Sequence, residues 1–152
     1  MNLKGKAMHI GRPRHALAAT LTGLGLLFAG CSGSLVEDSR TGLSCVDDSP
    51  ECVEQRAAAL KSMMADKDRS WLKEPADAKA HASGVRLFAF RSQKGDMSCE
   101  ELSYARKEAE GAPKVLKSSQ GLSPAQISRA SLFAAEVNKE LTAEMRKKRC
   151  RA

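Results

Sequence analysis

The sequence predicts an all-α fold: a small four-helix antiparallel bundle over about residues 50–72, 76–91, 99–110 and 124–148. Three observations carry this. Apolar residues recur at intervals of three and four in each stretch, the spacing that lines one face of a helix. Three of the four stretches open on a serine followed by a helix-starting proline or a capping-box partner. The one short run with a strand as its alternative, residues 85–90, has no second strand to pair with, which favours helix.

Helix one is expected from Ser49-Pro50-Glu51, a serine N-cap with proline at the first helical position and acid in the first turn. Val53, Ala57, Leu60, Met64 and Trp71 form its inward face, helped by Met63 and Leu72, and Pro75 stops it. Pro75 and Asp77 start helix two, where Ala78, Ala82, Val85 and Ala89 follow at helical spacing despite Gly84. Lys94-Gly95-Asp96 reads as a turn. Ser98 and Glu101 then make a capping box for helix three, which turns Leu102, Ala105 and Ala109 inward and stops at Gly111 and Pro113. After a loop over 112–122, Ser123-Pro124-Ala125-Gln126 repeats the capping pattern. Helix four carries the longest stripe: Ile127, Ala130, Ala134, Val137, Leu141 and Met145, widened by Phe133. Glu144 and Lys148 read as an outward pair.

The stretch before the helices has a different character. Lys4, Lys6, Arg12 and Arg14 precede an apolar run over 16–28 in an acid-free segment, the order of an export signal. As a helix the run would be about 20 Å long, short of the roughly 30 Å hydrocarbon core, so it makes a poor permanent span. It ends in Leu27-Phe28-Ala29-Gly30-Cys31, which resembles the lipobox of bacterial lipoproteins. Phe28 departs from the small or aliphatic residue usual at its position. The resemblance covers the first thirty-one residues and implies removal of residues 1–30, a diacylglyceryl group on the Cys31 sulfur, and acylation of the new amino group. Two or more chains make a stable anchor where one is marginal. Arg12-Pro13-Arg14 is no twin-arginine pair, which implies the general secretory route. Ser32 in place of an aspartate implies delivery to the outer membrane, facing the periplasm. Residues 31–48, rich in Ser, Gly, Asp and Glu, read as a lipid-anchored flexible tether, and 49–152 as one small helical domain.

The formal net charge of +7 is unevenly spread. The leader holds +4 and Arg146-Lys147-Lys148-Arg149-Cys150-Arg151 holds +5, so the body between them is close to neutral. A nucleic-acid partner is therefore not expected. With Cys31 assigned to lipid, Cys45, Cys52, Cys99 and Cys150 remain, an even number that suits two disulfides in an exported chain. If the helices run up, down, up and down, all four collect at the tether end, which favours long-range bridges from Cys45 and Cys52 to Cys99 and Cys150. The Cys45-to-Cys52 spacing lacks the close pair of structural zinc sites, and no metal is expected.

No constellation names a reaction. His81 is the single histidine after the leader and reads as a packing or surface residue. Ser70-Trp71-Leu72-Lys73 matches a Ser-x-x-Lys pattern whose companion elements are absent. Asp47-Asp48 and Asp66-Lys67-Asp68 read as solvated turns. The expectation is a non-enzymatic envelope lipoprotein, similar to the small uncharacterised ones, with no cofactor and a structural or protein-interaction role. The alternative is a binder of anionic envelope lipid, glycolipid or cell-wall polymer through Arg146, Lys147, Lys148, Arg149 and Arg151.

Overall fold

The computed structural model describes residues 39–151, and every regular element among them is helical. They are α1 (Ser39–Ser44), α2 (Pro50–Ala65), a 3-10 turn (Ser70–Lys73), α3 (Ala78–Ser83), α4 (Val85–Gln93), α5 (Cys99–Lys117) and α6 (Pro124–Lys147). The export signal, Cys31 and the first part of the tether lie outside the described residues.

The start signals act as read. Ser49, Ser98 and Ser123 each accept a hydrogen bond from the backbone amide three residues on, and Ser98/Glu101 and Ser123/Gln126 form complete capping boxes. The ends differ from expectation in three places. Helix one stops at Ala65 rather than at 72, because the Asp66 carboxylate gathers the Asp68 and Ser70 amides and the Ser70 hydroxyl at 3.1, 2.8 and 2.7 Å. That local bonding competes with the helix. Helix two is α3 and α4, split at Gly84, whose φ of 74° only glycine adopts without strain. Asp77 caps α3 through the Ala80 amide. Helix three runs on through Gly111 and Pro113 to Lys117, since Ala112 and Leu116 continue the buried stripe of Leu102, Ala105 and Ala109. Burial outweighs the amide that proline lacks.

Residues 39–48, read as the distal tether, carry α1 packed on α2. A Cβ on Gly42 would collide with the Gln55 carbonyl oxygen. This docking goes with a rotated α2: Cys52, Ala59 and Met63 are buried, while Val53, Ala57 and Met64, expected inward, are exposed.

The up-down-up-down order is corrected as well. Gln126 donates to the Val46 carbonyl at 2.9 Å, so α2 and α6 begin at the same end. Met63 near the end of α2 meets Gln93 at the end of α4, and Lys94 meets Glu140 far along α6. Hence α2, α4 and α6 run in one sense. Only α5 among the long helices opposes them, with its start joined to the end of α6. The chain from Asp66 to Asp77 carries it back to the starting end, burying Trp71 and Leu72 on the way. The core between these elements includes Leu87, Phe90, Met97, Leu102, Val137 and Leu141, all at most 1% exposed.

Candidate functional site

Two disulfides staple the fold, and their partners differ from the long-range pairing expected. Cys45 pairs with Cys52 and Cys99 with Cys150, at Cα separations of 5.5 and 5.4 Å. The expectation failed on helix length. With α5 nineteen residues long, α5 and α6 form a hairpin whose open ends bring residues 99 and 150 together. The two bridges lie at opposite ends of α6, roughly 36 Å apart at ~1.5 Å per residue over its 24 residues. The four cysteines therefore do not gather at one end. Cys45, Asp47 and Cys52 are also close enough to share a metal ion, but both thiols are joined to each other.

The basic tail is only partly free. Lys148 donates to the Gly95 and Met97 carbonyls at 2.7 and 2.6 Å, closing the α4–α5 turn, so it is not Glu144's outward partner. Glu144 is buried and meets Lys147 at 3.5 Å. Arg146, Arg149 and Arg151 are exposed and make no ion pair among the described residues. Arg149 adopts left-handed backbone, φ 56°. The Cys150 amide bonds the Met145 carbonyl at 2.9 Å and the Arg149 amide bonds the Arg146 carbonyl at 3.0 Å, a Schellman closure of α6. This turn reverses the chain and lays residues 149–151 against the first turns of α5. There Cys99, Glu100, Ser103, Tyr104 and Lys107 join Arg149, Cys150 and Arg151 around a shallow depression of about 640 Å³.

On another side, an apolar groove of about 550 Å³ lies between α2, α4 and α6. Ala57, Leu60, Val85, Phe88 and Phe133 line it. Phe88 is 47% exposed, and Val53 and Met64 continue the α2 stripe outside it at 48% and 43%. At its rim Arg56 and Arg129 lie 3.7 and 3.8 Å from Asp48.

Inside the molecule sits a charged cluster that the sequence reading missed. Arg86 is 1% exposed. It grips Glu108 through Nε at 2.8 Å and Nη2 at 2.5 Å, donates to the Trp71 carbonyl at 2.7 Å, and lies over the Trp71 and Phe90 rings. His81 is 3% exposed, and its Nδ1 has no hydrogen-bond partner among the described residues. Burial lowers its pKa, with Glu108 opposing and Arg86 assisting. The usable signal was Arg86 itself, the one charge in the run Val85-Arg86-Leu87-Phe88-Ala89-Phe90. A charge there must find a buried partner. Neither Arg86 nor Glu108 lines the depression or the groove described above, and the pair ties α4 to α5.

Elsewhere, the Lys94 ammonium and then the Arg91 guanidinium, both bonded to Glu140, hold that carboxyl below its usual range. No helix among the described residues is long and apolar enough to cross a membrane. No family model matches the chain, and neither curated proteins nor solved structures give a significant match.

Proposed function

We propose that the protein is a lipid-anchored, non-enzymatic component of the bacterial cell envelope that docks another envelope protein through its helical body. The observation that carries the docking is the rotated α2. Val53, Ala57 and Met64 are turned away from the core, and Ala57 meets Phe88 at an open groove floored in part by the half-buried Leu60. Exposed apolar side chains arranged along a groove between helices suit an apolar helix from a partner. The pairing of Cys45, Cys52, Cys99 and Cys150 supports the exported setting, because it leaves Cys31 of the lipobox as the odd thiol.

Both halves are testable in cells. Radiolabelled palmitate is expected in the protein and absent from Cys31→Ser. A photo-crosslinking residue at Met64 is expected to give a discrete adduct with one envelope protein, lost on Phe88→Asp. The same residue at Glu110, away from the groove, should give none. Identical weak products at both positions, unaffected by Phe88→Asp, would count against docking.

A second reading has its own support: Arg146, Arg149 and Arg151 stand free to meet an anionic surface. The tail lies at the end of α6 opposite Cys45, so a shared membrane-facing base no longer argues for it.

A further inference from the structure

We infer that the depression between the start of α5 and the disulfide-held tail is a binding site for a phosphate-bearing sugar polymer. The inference rests on the second reading above, that the tail meets an anionic partner, and names the ligand and the residues that select it.

Three cations from two parts of the chain converge there: Lys107 from α5, and Arg149 and Arg151 from the segment beyond α6. None makes an ion pair among the described residues. Arginine guanidinium offers paired donors that match phosphate oxygens, and lysine adds a mobile point charge. Tyr104 shares the lining with them, 45% exposed, and its ring offers a flat apolar face with a hydroxyl at its edge. Glu100 and Ser103 share the lining and can bond neutral hydroxyls. Cations for phosphate, an aromatic face for a ring, and an acid and a hydroxyl for hydroxyl groups together describe a phosphosugar. A flat phospholipid surface would use the cations alone and would leave the Tyr104 face and the Ser103 hydroxyl without a partner.

The backbone supplies a second observation. The C′ position of a Schellman turn favours glycine, yet here it is Arg149 in the left-handed region. Arg69, the other left-handed arginine, is tied down by its own side-chain bonds, whereas the Arg149 side chain bonds nothing among the described residues and its guanidinium is free to meet a ligand. The Schellman turn aims the chain at α5, and the Cys99–Cys150 bridge fastens Arg149 and Arg151 beside Tyr104. The site is thus assembled by a disulfide, and opening the bridge should dismantle it while α5 and α6 stay packed.

The test measures fluorescence anisotropy of labelled phosphorylated dextran with the purified full chain. We expect saturable binding, none by unmodified dextran, and at least tenfold weaker competition by polyphosphate at equal phosphate. Arg149→Glu with Arg151→Glu should weaken binding at least tenfold. Tyr104→Ala should weaken it about fivefold for phosphorylated dextran and leave polyphosphate unchanged. Cys99→Ser with Cys150→Ser should resemble the arginine pair. Arg149→Gly guards against a folding artefact, since it relieves the left-handed strain: binding should fall while the melting temperature does not. If charge reversal abolishes binding but Tyr104→Ala and bridge removal leave it intact, the built site is overturned and a plain basic tail stands. Tighter binding to anionic phospholipid vesicles than to the polymer, indifferent to Tyr104→Ala, overturns the sugar in favour of a membrane. No binding to any anionic probe overturns both this inference and the tail reading, while the groove proposal is untouched.

Discussion

Arg86 shows how a single residue organises the interior of this small domain. Its guanidinium is enclosed by two aromatic rings, bonded twice to Glu108 and once to the Trp71 carbonyl, so few of its donors are left over. The partners' side chains are 2% and 10% exposed, deep enough that losing one partner strands the other. Arg86→Met should therefore destabilise by about 3–5 kcal/mol, mainly because Glu108 keeps a charge without an ion partner. The double variant Arg86→Met with Glu108→Leu removes both charges and should recover much of that loss. Urea denaturation of the two variants checks this: equal losses would mean that packing on the rings, and not the ion pair, is what Arg86 supplies. Arg69 does a similar job at a second charged junction. Its left-handed backbone, φ 46°, is held in place by bonds from its side chain to Gln93 at 2.7 Å, Glu101 at 2.9 Å and the Asp96 carbonyl at 3.2 Å.

At the scale of the helices, two glycines with opposite surroundings make a clean pair of tests. Gly111 lies inside α5 with nothing within 4 Å of a built Cβ, so Gly111→Ala should stabilise by about 0.5–1 kcal/mol through the unfolded chain's lost freedom. In α1, a Cβ added at Gly42 would collide with the Gln55 carbonyl oxygen and lie 2.7 Å from the Ala59 Cβ, so Gly42→Ala should push α1 off α2. Thermal unfolding reads the first, and faster amide exchange confined to residues 39–48 reads the second. These two positions also explain what was legible. Helix starts were, because a cap is a local contract between a serine and the next amides, as at Ser49, Ser98 and Ser123. Helix ends were not, because they depend on what the rest of the chain buries: Leu116 carried α5 past Pro113, and Asp66 halted α2 ahead of the apolar Trp71 and Leu72. The candidate sites were half legible. The basic residues of the tail stand in the sequence, but Tyr104 and Lys107 become their neighbours only through the turn and the bridge at the end of α6.

For the whole molecule the decisive quantity is how much chain each disulfide closes. The Met63 carbonyl, left over at the end of α2, is met by Trp71 Nε1 and Gln93 Nε2, both at 3.2 Å, so the middle of the fold is held by non-covalent contacts. The two bridges act outside that middle, at opposite ends. Cys45 and Cys52 are 7 residues apart, whereas Cys99 and Cys150 are 51 apart and enclose the entire α5–α6 hairpin. In the chain-entropy model the short loop is worth about 2.5 kcal/mol and the long one about 4 kcal/mol, before any change in the native state. Non-reducing peptide mapping should yield these two pairs and no cross-linked Cys45 or Cys52 peptide with Cys99 or Cys150. Replacing Cys99 and Cys150 by serine should lower the unfolding free energy more than replacing Cys45 and Cys52, with the difference near 1.5 kcal/mol by the same loop-length argument. The reverse order would mean that the short bridge matters through α1 docking and the rotation of α2, and not through loop closure. In that case the Val53–Met64 stripe should also become buried when the bridge is removed, which protection of Met64 from oxidation would reveal.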